Sequence, residues 1–211
     1  FRDDATIPHP QLLREHLDSH RRHPASIVMG WVNHVENPDQ ANRPRFGTSD
    51  ISTSYFWTSN VSVPRELLER AGMFDEEFTE YGWEDVELGS RLRRLGVPRR
   101  FNPRAIVFHC KPRWRAADIP RLIDRAASSG RSAVIYVRKS GAIRSRMSTG
   151  VFPLRLALDR LLRPTAPICR RIIDRAGDLP LSGLSLFCAR WLLSFHYFQA
   201  VRDALATEVK P

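Results

Sequence analysis

Residues 81–89 constrain the fold of this 211-residue chain more than any other segment, and they read Tyr-Gly-Trp-Glu-Asp-Val-Glu-Leu-Gly. From the acidic pair onward, apolar residues recur at Leu88, Leu92 and Leu95. This i, i+4, i+7 spacing predicts a helix that packs on one side. Gly96, followed by a proline, predicts its end.

The acidic pair Glu84 and Asp85 falls in or just before the first turn of this predicted helix. The helix dipole favours an ionised carboxylate there, and such a carboxylate on a rigid element can accept a proton from a substrate hydroxyl. The structural alternative is a helix N-cap followed by acidic first-turn residues. Glu87 and Arg91 are spaced for an ion pair, which we expect on the solvent-facing side of the helix.

The charge of the chain is distributed unevenly. The formal net charge is +10, with 30 arginines against 3 lysines. Residues 66–88 contain nine acids and one base, whereas residues 99–175 contain 19 bases and four acids. A basic surface beside an acidic cleft suits anionic partners such as nucleotide phosphates or anionic lipids, and a solvated basic surface is the alternative. The chain has three cysteines, Cys110, Cys169 and Cys188. Their spacing fits neither a zinc site nor a disulfide framework, which favours a reducing compartment.

Several polar and aromatic side chains are candidates for a site. Neighbouring carboxylates such as Asp3 and Asp4 are the ligands that a hard divalent cation prefers, although such pairs also form turns. Trp57 and Asn60 follow a predicted strand and could orient a polar, ring-shaped substrate; a turn-forming asparagine is the alternative. His109 ends a β-branched run and becomes a metal ligand only if a metal site lies opposite.

The remaining pattern of the first half is typical of an α/β protein. It predicts a helix over residues 11–20, a buried strand over residues 25–32 and a loop that borders a site over residues 34–50. Pro64 and Gly72 bracket a further short helix.

Taken in their order along the chain, the motifs of residues 58–109 resemble the C-terminal half of the catalytic domain of family 2 glycosyltransferases. The Gly-Trp-Glu-Asp element also resembles that of β-1,4-galactosyltransferases. The resemblance covers about residues 1–112 and, more loosely, the helical region to about residue 140. Residues 1–13 resemble the Asp-x-Asp segment with the helix after it. It implies a GT-A fold, a mixed α/β sheet whose N-terminal, nucleotide-binding half is absent here. The residues that carry it are Thr58, Ser59, Asn60, Phe74, Asp75, Gly82, Trp83, Glu84, Asp85, Val86, Glu87, Leu88, Arg91, Leu92, Gly96, Asn102, Pro103 and His109.

The resemblance also implies roles for residues of the acceptor side. Asp85 would be the general base that deprotonates the acceptor hydroxyl. Glu84 would help to hold the acceptor, and Asn60 and Trp83 would shape its pocket. We count Trp57 with them as an acceptor-binding residue.

For the donor side, the resemblance implies a divalent metal, Mn²⁺ or Mg²⁺, held by Asp3 and His109. The metal would neutralise the diphosphate of the nucleotide-sugar, and Asp3 and Asp4 would contact the donor. The family usually has a carboxylate three residues before the proline, where this chain has Ala5. Either Asp4 substitutes for it, or metal binding is weakened or lost.

The last hundred residues differ in character. A helix is predicted over residues 117–139 with an interruption at Gly130, and two short arginine-rich helices over residues 151–176. Residues 181–201 are strongly apolar, with Arg190 as their only charge. This segment either lies in an anionic membrane surface or packs as a helix on its own domain.

The predicted fold class is therefore α/β: the C-terminal part of a GT-A domain over residues 1–112, then an arginine-rich, mostly helical extension over residues 113–211. The predicted function is transfer of a hexose, with inversion, from a nucleotide-sugar to a hydroxyl of a glycan or lipid-linked acceptor, in the synthesis of polysaccharide, glycolipid or another cell-surface glycan. We expect the natural protein to start upstream of Phe1, and this fragment alone to be inactive because half of the donor site is missing.

The alternative is a non-catalytic remnant that binds a glycan, a lipid or a partner. Specific nucleic-acid binding is not expected, since no recognition module accompanies the arginines. The expected location is the cytoplasm, including the inner face of a bacterial membrane.

Overall fold

In the computed structural model, the apolar run that begins at Ile27 forms the central strand β2 (Ile27–Val35). Residues 6–45, 47–50, 52 and 54–208 are the ones the structure describes. Strand β4 (Arg99–Cys110) lies parallel to β2, while β1 (Thr6–Pro8) and β3 (Val61–Ser62) are antiparallel edge strands. The order β1-β4-β2-β3 makes this a mixed sheet. Because β2 and β4 are parallel, their carboxyl ends meet at one edge of the sheet.

Three helices pack on this sheet, namely α1 (Leu12–Arg22), α2 (Arg65–Ala71) and α3 (Glu84–Arg94). Single 3₁₀ turns occupy Pro38–Gln40 and Thr48–Asp50. The largest core cluster joins the sheet to α2 and α3 and consists of Ile27, Met29, Phe56, Val61, Leu67, Leu68, Ala71, Leu88, Leu92 and Val97. A second cluster joins the sheet to α1 through Leu12, Val32, Ala105 and Val107.

The helix predicted after the acidic pair is confirmed as α3, with one correction. Leu88 and Leu92 are completely buried, but Leu95 is 43% exposed. The helix ends at Arg94, so Leu95 no longer follows the helical stripe. A side chain at Gly89 would place its Cβ 2.8 Å from the Cβ of Phe56, which fixes the close approach of α3 to the core.

The expectation that Glu87 and Arg91 pair on the solvent-facing side is wrong. Glu87 is 4% exposed, and Arg91 Nε lies 2.9 Å from both of its carboxylate oxygens. The guanidinium also donates to the carbonyl oxygen of Ala71, the last residue of α2. The pair is buried because it joins two helices, a role that i, i+4 spacing does not reveal.

The chain divides into two compact units. The first contains Phe1–Asp75 and Asp85–Pro112, and the second contains Glu76–Glu84 and Arg113–Pro211. Residues 76–84, which the sequence analysis grouped with the first domain, thus count with the second unit. The helices of the second unit are α4 (Ile119–Ser140), α5 (Ile143–Thr149), α6 (Pro153–Leu162), α7 (Ala166–Asp174) and α8 (Gly183–Glu208).

Helix α8 is the central helix of the second unit, since it packs against α4, α6 and α7. Among the alternatives for residues 181–201, the structure therefore supports a helix packed on its own domain. The expected interruption at Gly130 is wrong. A Cβ there would lie 2.4 Å from the carbonyl oxygen of Tyr197, so this glycine lets α4 and α8 approach closely within a continuous helix.

The predicted fold class is confirmed: a mixed α/β sheet, as in the C-terminal portion of a GT-A domain, is followed by a helical extension. Within the part of the chain that the structure describes, no helix is long and apolar enough to cross a membrane.

Candidate functional site

The two carboxylates of the Glu84-Asp85 pair begin helix α3, as the sequence predicts. Both side chains are half-buried. Asp85 precedes Leu88 and Leu92 by three and seven residues, so it occupies the N-terminal end of the face that packs into the core. The carboxylate thus lies in the first turn of α3, at the positive end of the helix dipole.

Gly82 and Trp83, at the corner just before the acidic pair, belong to the second unit and contact helix α4 of that same unit. Gly82 and Trp83 both have positive φ angles, 105° and 72°, which is unusual for a bulky residue such as tryptophan. The Trp83 ring stacks on Tyr136 with centroids 5.8 Å apart, and its Nε1 donates to the carbonyl oxygen of Ser129 at 3.1 Å. A Cβ on Gly82 would lie 2.9 Å from Ser129 Oγ, so the corner needs glycine there.

Ion pairs hold the preceding acidic segment on the same helix. Arg131 Nε donates to Glu80 Oε1 at 2.7 Å, and this contact, more than any other, lowers the pKa of Glu80 below its usual value. Lys139 Nζ lies 2.7 Å from Glu77 Oε2, and Arg138 pairs with the same carboxylate. Two carboxylates of the acidic run that the sequence analysis assigned to a cleft are therefore paired with bases on α4.

A second polar group lies at the carboxyl ends of β2 and β4. The rings of His34 and His109 stack with centroids 5.4 Å apart. The Trp57 ring also stacks with His34, with centroids 6.2 Å apart and the ring planes inclined by 26°. His34 Nδ1 is 3.0 Å from Asp50 Oδ1, and its Nε2 is 3.0 Å from Lys111 Nζ. Because the ammonium group of lysine can only donate, His34 is a neutral ring that donates from Nδ1 and accepts at Nε2.

The electrostatics agree with this protonation state. The pKa of His34 is lowered, first by burial, although the bond to Asp50 acts in the opposite direction. Burial alone would raise the pKa of Asp50, but hydrogen bonds from four N–H groups outweigh it and hold this pKa below its usual value. Those donors, at 2.9–3.0 Å, are the backbone amides of His34 and Gly47, the Asn33 side chain and the Trp31 indole.

His34 and Asp50 were not predicted from the sequence as members of this group. They lie 16 positions apart and match no short motif. The available signal was the predicted loop over residues 34–50, which begins where strand β2 ends. Ligands of open α/β sheets bind beyond the carboxyl ends of the parallel strands, so this edge is where a site is expected.

Comparison with known proteins adds evidence of common ancestry. The chain is 54% identical over 62 residues to Validoxylamine A glucosyltransferase of Streptomyces hygroscopicus subsp. jinggangensis, covering 26% of this chain and 15% of that protein. It is 36% identical over 108 residues to chondroitin synthase of Escherichia coli, and this match covers 51% of this chain and 14% of that protein. It is 38% identical over 64 residues to hyaluronan synthase of Pasteurella multocida, and this match covers 30% of this chain and 7% of that protein.

The homologues of this chain are glycosyltransferases. The chain spans only 7–15% of the length of these three relatives. No protein-family model matches it.

The residues implicated by the glycosyltransferase resemblance do not all come together. Trp57 and His109 lie on the same edge of the sheet, both beside His34. Asp3 and Asp4 lie outside the described residues, and His109 pairs across the sheet with Thr6. Within the described ranges, no group of three or more His, Cys, Asp or Glu side chains could hold a metal ion.

Asn60 takes part in an internal hydrogen-bond network. Its Nδ2 donates to the carbonyl oxygens of Trp31 at 3.1 Å and Ala105 at 2.8 Å, beside the register shift between β2 and β4. Its Oδ1 lies 2.9 Å from His16 Nε2, and a Cβ at Gly30 would collide with the amide. Acceptor binding by Asn60 stays a prediction. In the structure, its side-chain amide links strands β2 and β4 through hydrogen bonds to their backbone carbonyl oxygens.

The same network continues through two histidines of α1. Ser62 Oγ lies 2.7 Å from His16 Nδ1 and 2.8 Å from His20 Nε2. Since His16 Nε2 faces the acceptor Oδ1 of Asn60, it carries the proton, and Ser62 donates to Nδ1 of a neutral ring. A proton added at His16 Nδ1 would reverse that bond, so that the ring donates to Ser62 Oγ, and would place a positive charge on a buried side chain.

Acidification is therefore expected to loosen the contact between α1 and β3. Burial is the first cause that lowers the pKa of His16 and of His20 from 6.5. The contribution of the neutral histidines to the free energy of unfolding is complete above about pH 6.5. It is lost as the pH falls through the lowered pKa of the folded state. For His16 the free energy of unfolding decreases by at most about 1.4 kcal/mol per pH unit. Hydrogen–deuterium exchange, corrected for intrinsic rates, should show less protection of α1 and β3 at pH 5.5 than at pH 7.

The variant His16→Gln should weaken this pH dependence, because glutamine can still donate to Asn60 but does not titrate. The exposed His23 is the matched control, and His23→Gln should leave the dependence unchanged. An unaltered pH dependence in His16→Gln would assign the effect to other groups.

Proposed function

We propose that this chain is the acceptor-side part of a family 2 glycosyltransferase that transfers a hexosyl group from a nucleotide-sugar to an acceptor hydroxyl. The observation that carries the proposal is the 54% identity over 62 residues to a protein named as a glucosyltransferase. Further support comes from the Glu84-Asp85 pair at the start of α3. The names of the other two relatives favour a role in the synthesis of a polysaccharide or another cell-surface glycan.

In the proposed reaction, the acceptor oxygen attacks the anomeric carbon of the donor sugar. The bond between that carbon and the phosphate oxygen breaks, and the nucleoside diphosphate leaves with the bonding electrons. Asp85 takes the hydroxyl proton as the new glycosidic bond forms. A single displacement of this kind inverts the configuration at the anomeric carbon. Glu84, Trp83, Trp57 and Asn60 are the proposed acceptor-side residues.

The donor diphosphate needs positive charge around it. Lys111, next to His34 and His109 at the carboxyl ends of the parallel strands, supports an anion there. We propose that a Mn²⁺ or Mg²⁺ ion is held by His109 together with Asp3, with Asp4 as the alternative carboxylate. When bound, such an ion supplies Lewis-acid neutralisation of the diphosphate.

The test is turnover of a panel of nucleotide-sugars by the longest form of the protein that its gene encodes. Oligosaccharides and a lipid-linked sugar would serve as acceptors, with NMR of the product to determine the anomeric configuration. We expect one nucleotide-sugar to be consumed and a linkage of inverted configuration to be formed. Acceptor binding without turnover of any nucleotide-sugar would contradict this proposal and favour a non-catalytic glycan-binding module.

A further inference from the structure

Helix α6 carries three of its five leucines on the outside. Leu154, Leu158 and Leu161 are 76%, 44% and 74% exposed. Their i, i+4, i+7 spacing places them on one stripe of the helix. Asp159 of the same helix is 1% exposed, so α6 buries an acid, together with the partly buried Leu156 and Leu162, while a stripe of three leucines faces outward.

The polar side chains on the inward side of α6 have partners on α8. Arg202 Nη1 lies 2.7 Å from Asp159 Oδ2, and both side chains are mostly buried. Arg155 lies over the Phe198 ring at 4.4 Å and donates to Ser194 Oγ at 3.1 Å. These contacts fix the rotation of α6, so the leucine stripe is held outward by specific bonds.

Helix α5 also exposes large apolar side chains. Ile143 and Met147 are 77% and 71% exposed, four positions apart. Ser145 and Thr149 are buried, and their hydroxyls donate to the backbone carbonyl oxygens of Ala142 and Ser145, respectively. Two successive helices thus expose large apolar side chains and bury small polar ones.

The segment that carries these apolar side chains is rich in positive charge. Residues 143–175 contain eight arginines and two acids, and one of the acids is the buried, paired Asp159. The arginines are Arg144, Arg146, Arg155, Arg160, Arg163, Arg170, Arg171 and Arg175. Apolar side chains that enter the headgroup region, flanked by arginines that attract anionic headgroups, are what interfacial helices need.

We propose that the outward residues of α5 and α6 (Ile143, Met147, Leu154, Leu158 and Leu161, hereafter the α5–α6 face) bind the surface of an anionic lipid bilayer. The charge selects this occupant. A second copy of the chain would bring an equally positive face against the first, whereas anionic headgroups neutralise it. The apolar helix α8, the candidate that the sequence offered, packs mainly inside its own unit.

The test measures binding of the purified protein, in the longest form its gene encodes, to sedimenting vesicles of phosphatidylglycerol and phosphatidylcholine. The double variant Leu154→Gln/Leu161→Gln should lower the partition coefficient about 10²-fold, since each exposed leucine that leaves water contributes about tenfold. Binding of the unmodified protein should weaken at high salt and on pure phosphatidylcholine.

The matched control is Leu13→Gln/Leu17→Gln on α1, where the leucines are 75% and 59% exposed. There the surrounding charges are mixed, with Asp18 paired to both Arg14 and Arg21. This control should bind vesicles like the unmodified protein. The proposal is overturned if the protein does not bind anionic vesicles, or if the α6 and α1 variants lose binding equally. It is also overturned if the α6 variant binds normally but converts a dimer into a monomer by sedimentation velocity, since the face then joins two copies.

Discussion

Replacing Asp85 by asparagine is expected to lower kcat about 10²–10⁴-fold in the longest form of the protein, the range typical of a lost general base. A base that accepts the hydroxyl proton as the glycosidic bond forms acts mainly in the transition state. The KM for the nucleotide-sugar should therefore change little. Stability should also change little, because asparagine is tolerated at the start of a helix. The measurement is steady-state kinetics with both substrates varied, together with thermal unfolding of both proteins.

Glu84→Gln is the comparison that separates chemistry from binding. Glu84 is the neighbouring carboxylate in the same helical turn, so both variants lose one negative charge at the same end of α3. If Glu84 holds the acceptor, its variant should raise the KM for the acceptor and affect kcat less than Asp85→Asn does. An Asp85→Asn protein that keeps its turnover but unfolds at a lower temperature would identify Asp85 as a structural cap instead of the base.

Much of α3 could be predicted because its signals are local. The apolar spacing and the acidic pair place the start of the helix, and the glycine at position 96 places its end within two residues. The failures concern what each side of the helix contacts. Glu87 and Arg91 were expected in water, but their partner Ala71 comes from another helix, 20 positions before Arg91. Periodicity predicts a buried face, and it cannot predict a polar bridge to a distant backbone carbonyl.

The polar group at the end of β2 was out of reach of the sequence for a similar reason. His34 and Asp50 are joined only because the chain folds back after β2. The side chain of Asn60 is equally non-local, since its carbonyl partners Trp31 and Ala105 lie 29 and 45 positions away. A strand-end asparagine therefore looks the same in sequence whether it binds a ligand or closes a gap between two strands.

The tail illustrates the limit of composition. Residues 181–201 are the most apolar part of the chain, yet Cys188, Ala189, Leu192, Phe195 and Phe198 of this segment are buried within the second unit. Helix α6 is shorter and less apolar overall, and it nevertheless exposes three of its five leucines. The side that a helix exposes is decided by partners such as the Arg202–Asp159 pair. Average hydropathy does not record those partners.

Breaking the buried pair of α3 should destabilise the first unit. Glu87→Ala leaves the Arg91 guanidinium mostly buried, 20% exposed, without its carboxylate. Removing one partner of a buried ion pair typically costs about 3–5 kcal/mol, and we expect about 3 kcal/mol because Arg91 keeps its bond to the Ala71 carbonyl oxygen. The measurement is urea unfolding in which hydrogen–deuterium exchange of peptides from α2 and α3 is the readout. It gives the change in the free energy of unfolding of this unit.

Helix α2 offers the matched control, because Arg65 and Glu69 form an ion pair with the same four-residue separation. Those side chains are 86% and 52% exposed, so Glu69→Ala should change the unfolding free energy by about 0.5 kcal/mol or less. Glu87→Gln should fall between the two alanine variants, since the amide oxygen can still accept a hydrogen bond from Arg91. Equal effects of Glu87→Ala and Glu69→Ala would mean that water reaches the pair in solution. The Glu87–Arg91 pair would then not be what fastens α3, and with it Asp85, to α2.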